Sequence, residues 1–103
     1  MIKHIVMWKL KDSAEGRTKA ENAKMMKQKL ESMPPLIPEL DSVEVGIHMF
    51  EGGGDPICDV VLIAECENEE HLHAYAAHPE HKKVVEFILK VVNERRVVDF
   101  QTS

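Results

Sequence analysis

The chain has no run of eighteen apolar residues, so no membrane-spanning helix is expected. Its opening, MIKHIVMWKLK, has no unbroken apolar segment, because Lys3, Lys9 and Lys11 interrupt it. A signal peptide needs such a segment and a small-residue cleavage site, so the expected address is the cytoplasm. Basic charge is also scarce: thirteen Lys and Arg stand against eighteen Asp and Glu, a formal charge of −5. Binding to a phosphate backbone needs a concentrated basic face. The clusters Lys24, Lys27, Lys29 and Lys82, Lys83 have acidic residues mixed in beside them and read as solvated surface, so nucleic acid is not an expected partner. Cysteine is limited to Cys58 and Cys66, with no CxxC pair. In one strand they would lie about 26 Å apart at about 3.3 Å per residue, far beyond disulfide reach, and both read as reduced core residues.

At 103 residues the chain is expected to be one domain, 1–103, with a single modest core. Residues 2–11 alternate, with Ile2, His4, Val6, Trp8 and Leu10 on one side and Ile5 and Met7 on the other. That predicts a strand whose centre is apolar on both faces. A helix is predicted over 14–33, with Ala23, Met26, Leu30 and Met33 in one stripe, ended by Pro34, Pro35 and Pro38. SVEVGIHMF at 42–50 reads as a second strand with Val43, Val45, Ile47 and Met49 on one face. Gly46 within it predicts a bulge or a close backbone approach. EGGGDP at 51–56 is a turn, and CDVVLIAEC at 58–66 is a third strand, again apolar on both faces. A short helix over 68–77 has Asn68 as its N-cap, and Pro79 opens another that runs to about Val92. Residues 95–102 close the chain as a strand.

The order β-α-β-β-α-β is a ferredoxin-like α+β arrangement with an antiparallel sheet. Its helices cover one face of the sheet. Strands that are apolar on both faces need cover on the other side too, and the chain has no spare element to give it. A second copy of the sheet is the simplest cover, so a two-fold homodimer with sheets back to back is expected.

Four of the six histidines lie in HLHAYAAHPEHKKVVEF around the single tyrosine. His81 lies three residues before Val84 and seven before Ile88, on the apolar stripe of its helix. Leu72, Tyr75 and Ala76 share a face, and His78 follows Tyr75 by three. His4 shares a strand face with Val6 and Trp8. If that face is the covered one, His4, Tyr75, His78 and His81 converge in the interior, with Val6, Trp8 and Leu62 as apolar lining. Singly, each has a plain reading: His78 before Pro79 can be a helix cap, and Tyr75 can be packing. Their convergence favours a working pocket, because apolar interiors rarely gather unmatched polar groups without a use. His48, His71 and His73 read as solvent-facing. His78-x-x-His81 has zinc-like spacing, but it has a proline inside and no carboxylate or cysteine partner, so no metal site is expected.

KHIVMWKLKD, IPELDSVEVG, Tyr75-x-x-His78-Pro79-x-His81 and the closing VVDF resemble the stress-responsive α/β-barrel (Dabb) family over nearly the whole chain. The resemblance implies a ferredoxin-like monomer and a dimeric α/β barrel. It also implies a link to plant polyketide cyclases of that family, which close a linear tetraketide thioester by aldol condensation without a cofactor. Their catalytic tyrosine and histidine match Tyr75 and His81, and their pocket histidines match His4 and His78. By that resemblance His81 would be a general base and Tyr75 would hold the substrate carbonyl. The cyclases line their pocket with aromatics from the first helix, where this chain has Ala23, Met25, Met26 and Leu30; the chain's aromatics are one Trp, one Tyr and three Phe. The acid–base pair therefore carries over and the substrate does not. Some plant members bind magnesium near the dimer interface, largely through backbone oxygens, so magnesium is possible by resemblance alone. Three readings stay open: acid–base chemistry on a small carbonyl compound, a non-catalytic stress-associated dimer that binds a small molecule or is purely structural, and a monooxygenase-like dimeric barrel.

Overall fold

The computed structural model describes residues 1–49 and 55–102. Its main elements are β1 (Ile2–Leu10), α1 (Lys19–Glu31), β4 (Ser42–Ile47), β5 (Val60–Cys66), α2 (Glu69–Ala77), α3 (Pro79–Val91) and β6 (Val92–Gln101). Two short strands, β2 (Ser13–Ala14) and β3 (Arg17–Thr18), form a hairpin before α1, and a 3-10 turn covers Pro34–Leu36. The four long strands form one antiparallel sheet in the order β4-β5-β1-β6. This is the ferredoxin-like α+β architecture read from the sequence.

The even positions of β1 are all buried and the odd ones half-buried. Val60, Leu62, Ala64 and Cys66 repeat the pattern on β5, because Val6 pairs with Leu62 and His4 with Ala64. Val6, Trp8 and Leu62 join Met26, Leu30, Val84 and Ile88 in one core, where the helices lie on the sheet. Burying each large apolar side chain there contributes about 1.5–3 kcal/mol. The opposite face carries Ile5, Met7, Val61 and Ile63, all half-buried, with Val98 and Phe100 exposed beside them on the edge strand.

Three expectations are corrected. The first helix begins at Lys19, not at residue 14. Glu15 and Gly16 take φ of 53° and 74°, which turns the chain into the β2–β3 hairpin. Thr18 then starts the helix with a capping box: its hydroxyl accepts from Glu21 N at 3.2 Å, while Glu21 accepts from Thr18 N at 3.0 Å. Gly46 sits in an unshifted register with no bulge; the close neighbour is the Val61 side chain, 3.1 Å from where a Cβ would stand. Met49 lies beyond β4 and is exposed, not on the buried face with Val45. Phe50 and most of the turn expected at 51–56 lie outside the described residues.

Candidate functional site

α2 and α3 meet at a sharp corner, and His78 makes it. Its backbone is extended (φ −66°, ψ 136°), which ends α2, and its Nδ1 accepts from Glu80 N at 3.1 Å, which caps α3. Pro79 fits the first turn because no amide hydrogen bond is needed there. The corner places His81 one turn into α3, facing back on α2. There the His81 Nδ1–H donates to the Ala76 carbonyl at 3.0 Å. A carbonyl only accepts, so the proton is on Nδ1, and in the neutral ring Nε2 keeps its lone pair.

The Tyr75 and His81 rings lie 4.6 Å apart at a 56° tilt. Tyr75 also meets the edge of His4, with centroids 5.8 Å apart. The His4 Nδ1–H donates to the Asp99 carboxylate on the neighbouring strand, which fixes the ring's orientation. These groups border a cavity of about 310 Å³ between the helices and the sheet, walled by Val6, Trp8, Leu62, Val84 and Ile88, with Arg95 also at its surface. A cleft of about 410 Å³ lies between α1 and α3, but its cations and Glu80 gather around no buried polar group, and Lys83 there pairs with Glu80. The smaller cavity is the one that gathers His4, Tyr75 and His81.

Burial lowers the pKa of His81, opposed by its bond to Ala76 and helped by the positive fields of His4, Arg95 and His78. It is therefore a neutral base at pH 7. Burial pushes the Tyr75 phenol well above its ordinary range, so it stays a protonated donor. No hydrogen-bond partner for that hydroxyl exists among the described residues, and a substrate oxygen could take the position. Burial also pushes the Cys66 thiol up to about 11, so it is protonated and inert, and both cysteines are free. Cys58 is half-buried ahead of β5, outside the core.

Of the expected site residues, His4, Val6, Trp8, Leu62, Tyr75 and His81 come together on the cavity wall. His78 does not: it is a half-buried helix cap, because its imidazole nitrogen is engaged by the backbone of α3. His73 is exposed as expected, whereas His48 and His71 are half-buried; Nδ1 of His71 has no hydrogen bond among the described residues, and Glu67 Oε2 is 4.0 Å away. Sequence reasoning missed Arg95 and Asp99. The signal was the pairing of β1 with β6, where Trp8 faces Arg95 and His4 faces Asp99. For magnesium, no group of three or more His, Cys, Asp or Glu side chains gathers among the described residues.

One antiparallel sheet in the order β4-β5-β1-β6 with its helices on one face is the ferredoxin-like class of α+β protein. Within it, the chain belongs to the Dabb family, the stress responsive A/B barrel domain, whose model matches residues 2–102. A Bacteroides fragilis protein described as dimeric, ferredoxin-like and of unknown function is 29% identical, with a TM-score of 0.84 over 98% of this chain and 95% of that one. A dimeric ferredoxin-like protein of unknown function from Thermobifida fusca is 24% identical, with a TM-score of 0.81 over 98% and 90%. An antibiotic biosynthesis monooxygenase is 15% identical, with a TM-score of 0.71 over 100% and 99%. The last two likenesses show the fold alone. No curated protein matches the sequence.

Proposed function

We propose that the chain is a single-domain, cytoplasmic homodimer that performs cofactor-free acid–base chemistry on a small carbonyl compound. The observation that carries this reading is the bond from His81 Nδ1 to Ala76 O, which leaves Nε2 as the free base on an apolar cavity wall beside Tyr75. A C–H between two carbonyls is acidic enough for a neutral imidazole to take its proton. His81 Nε2 receives that proton, and the C–H electron pair moves into the enolate. The Tyr75 O–H donates to the carbonyl oxygen on which the charge develops, and the low-dielectric wall of Val6, Trp8 and Leu62 strengthens that bond. The imidazolium then returns the proton to the product. His4, held by Asp99, supports the Tyr75 ring from the sheet side.

The dimer reading is supported by the apolar outer sheet face and by similar proteins described as dimeric. No helix among the described residues is long and apolar enough to cross a membrane.

The test is deuterium exchange at the C2 position of a β-keto thioester in heavy water, followed by NMR. His81→Gln should remove about 10²–10⁴ of the rate enhancement given by the wild type, the usual worth of a positioned base. Equal rates in the two proteins would remove His81 from the base role.

A further inference from the structure

The cavity wall holds one permanently charged group, Arg95, and no carboxylate. Arg95 pairs with Trp8 across β1 and β6, so its side chain stands on the helix-covered face. Carboxylates nearby are already engaged: Glu94 pairs with Arg96, and Asp99, the acid on the same strand face, accepts from His4. The Arg95 guanidinium makes no ion pair among the described residues. Its field nonetheless reaches both site groups, because it disfavours protonation of His81 and favours ionisation of Tyr75. Around it the wall offers His4, His81 and the Tyr75 hydroxyl, then hydrocarbon from Val6, Leu62, Val85 and Ile88. Such a lining is built for an acid with an apolar body, in a protein whose overall charge of −5 would otherwise repel one.

We propose that Arg95 makes this cavity selective for a small amphipathic carboxylate, with the acid group held on the guanidinium and the apolar body against Trp8 and Leu62. The proposal rests on the reading of this cavity as the ligand site and names its ligand class: a β-keto acid or a close analogue. Arginine suits the task because its planar fork binds a carboxylate through two parallel hydrogen bonds. It suits the chemistry as well. Removing a proton between a ketone and a carboxylate creates a second negative charge beside the first, and a guanidinium on the carboxylate lowers that barrier.

Trp8, the chain's sole tryptophan, is part of the wall and reports occupancy by its fluorescence. Two probes of one shape are para-butylbenzoic acid, ionised at neutral pH, and its uncharged amide. The acid should bind wild type about tenfold tighter than the amide, a typical worth of a charge-assisted pair at a partly exposed site. Arg95→Met should bring the acid down to the amide's affinity and leave the amide unchanged, and added salt should weaken the acid alone. Arg95 is exposed, so the variant should keep the wild-type melting temperature; Arg95→Lys, which keeps the charge and loses the fork, should fall between. Equal binding of the two probes to wild type, or undiminished acid binding by Arg95→Met, would overturn the selectivity and leave the ligand site standing. If neither probe alters Trp8 fluorescence, the cavity is not a ligand site and both readings fall.

Discussion

Tyr75→Phe should make the protein more stable and less able to do chemistry. Tyr75 is 2% exposed, and its ring packs against His81 at 4.6 Å and His4 at 5.8 Å. Phenylalanine keeps those contacts and deletes only the hydroxyl, which has no partner among the described residues. The hydroxyl reaches the cavity and is not sealed off, so its penalty is smaller than the about 1–3 kcal/mol of a sealed hydroxyl without a partner. The cavity admits water, which offsets part of this, so the expected gain is about 1 kcal/mol. In a domain of this size that is about 4–8 °C in Tm. Tyr75→Ala, by contrast, deletes the ring and should cost about 3–5 kcal/mol. The assay is urea unfolding at one fixed protomer concentration, because dimerisation would make the midpoint concentration-dependent; the slope should not change between wild type and Tyr75→Phe. The same variant should lose about 10²–10³ in deuterium exchange, the usual loss on removing an oxyanion donor. A Tyr75→Phe protein destabilised by more than about 1 kcal/mol would refute the reasoning, since the hydroxyl would then be a structural hydrogen bond rather than a group kept for substrate.

His81 also gives a signature in pH. Its folded pKa lies below the ordinary 6.5, so between the two values the unfolded chain binds more protons and stability rises with pH. The neutral imidazole's contribution is complete above pH 6.5 and is lost as pH falls through the folded value; melting curves of His81→Gln should lack that slope, and identical slopes would show that His81 is not desolvated. On the outer sheet face, Ile5→Glu places a charge next to Ile63 and Val98, and sedimentation should then give a monomer with native circular dichroism. An unchanged dimer mass would mean that another surface joins the copies.

The sequence determined the sheet, the helices and most of the site, because these follow from short-range periodicity. Alternation in β1 and β5 put His4, Val6, Trp8 and Leu62 on one face, and the spacing of His81 from Val84 and Ile88 set its side of α3. It also held the hairpin ahead of α1, in Glu15-Gly16 followed by Thr18-x-x-Glu21, a local turn and cap that outweighed the helical pattern starting earlier. Which adjacent residues of β6 meet the cavity was a different matter. Arg95 and Arg96 are equivalent in sequence, and β6 is an edge strand whose exposed residues show no burial alternation. Its pairing with β1 shifts at Lys9/Leu10, and only the register beyond that shift turns Arg95 and Asp99 inward. His78 was ambiguous for a related reason. A histidine before proline can cap a helix or line a pocket, and the choice depended on the corner between α2 and α3, where the Glu80 amide took the ring nitrogen. Side-chain identity and period therefore specified what the site contains. Strand register and helix junctions, which rest on contacts between distant parts of the chain, decided which groups face it.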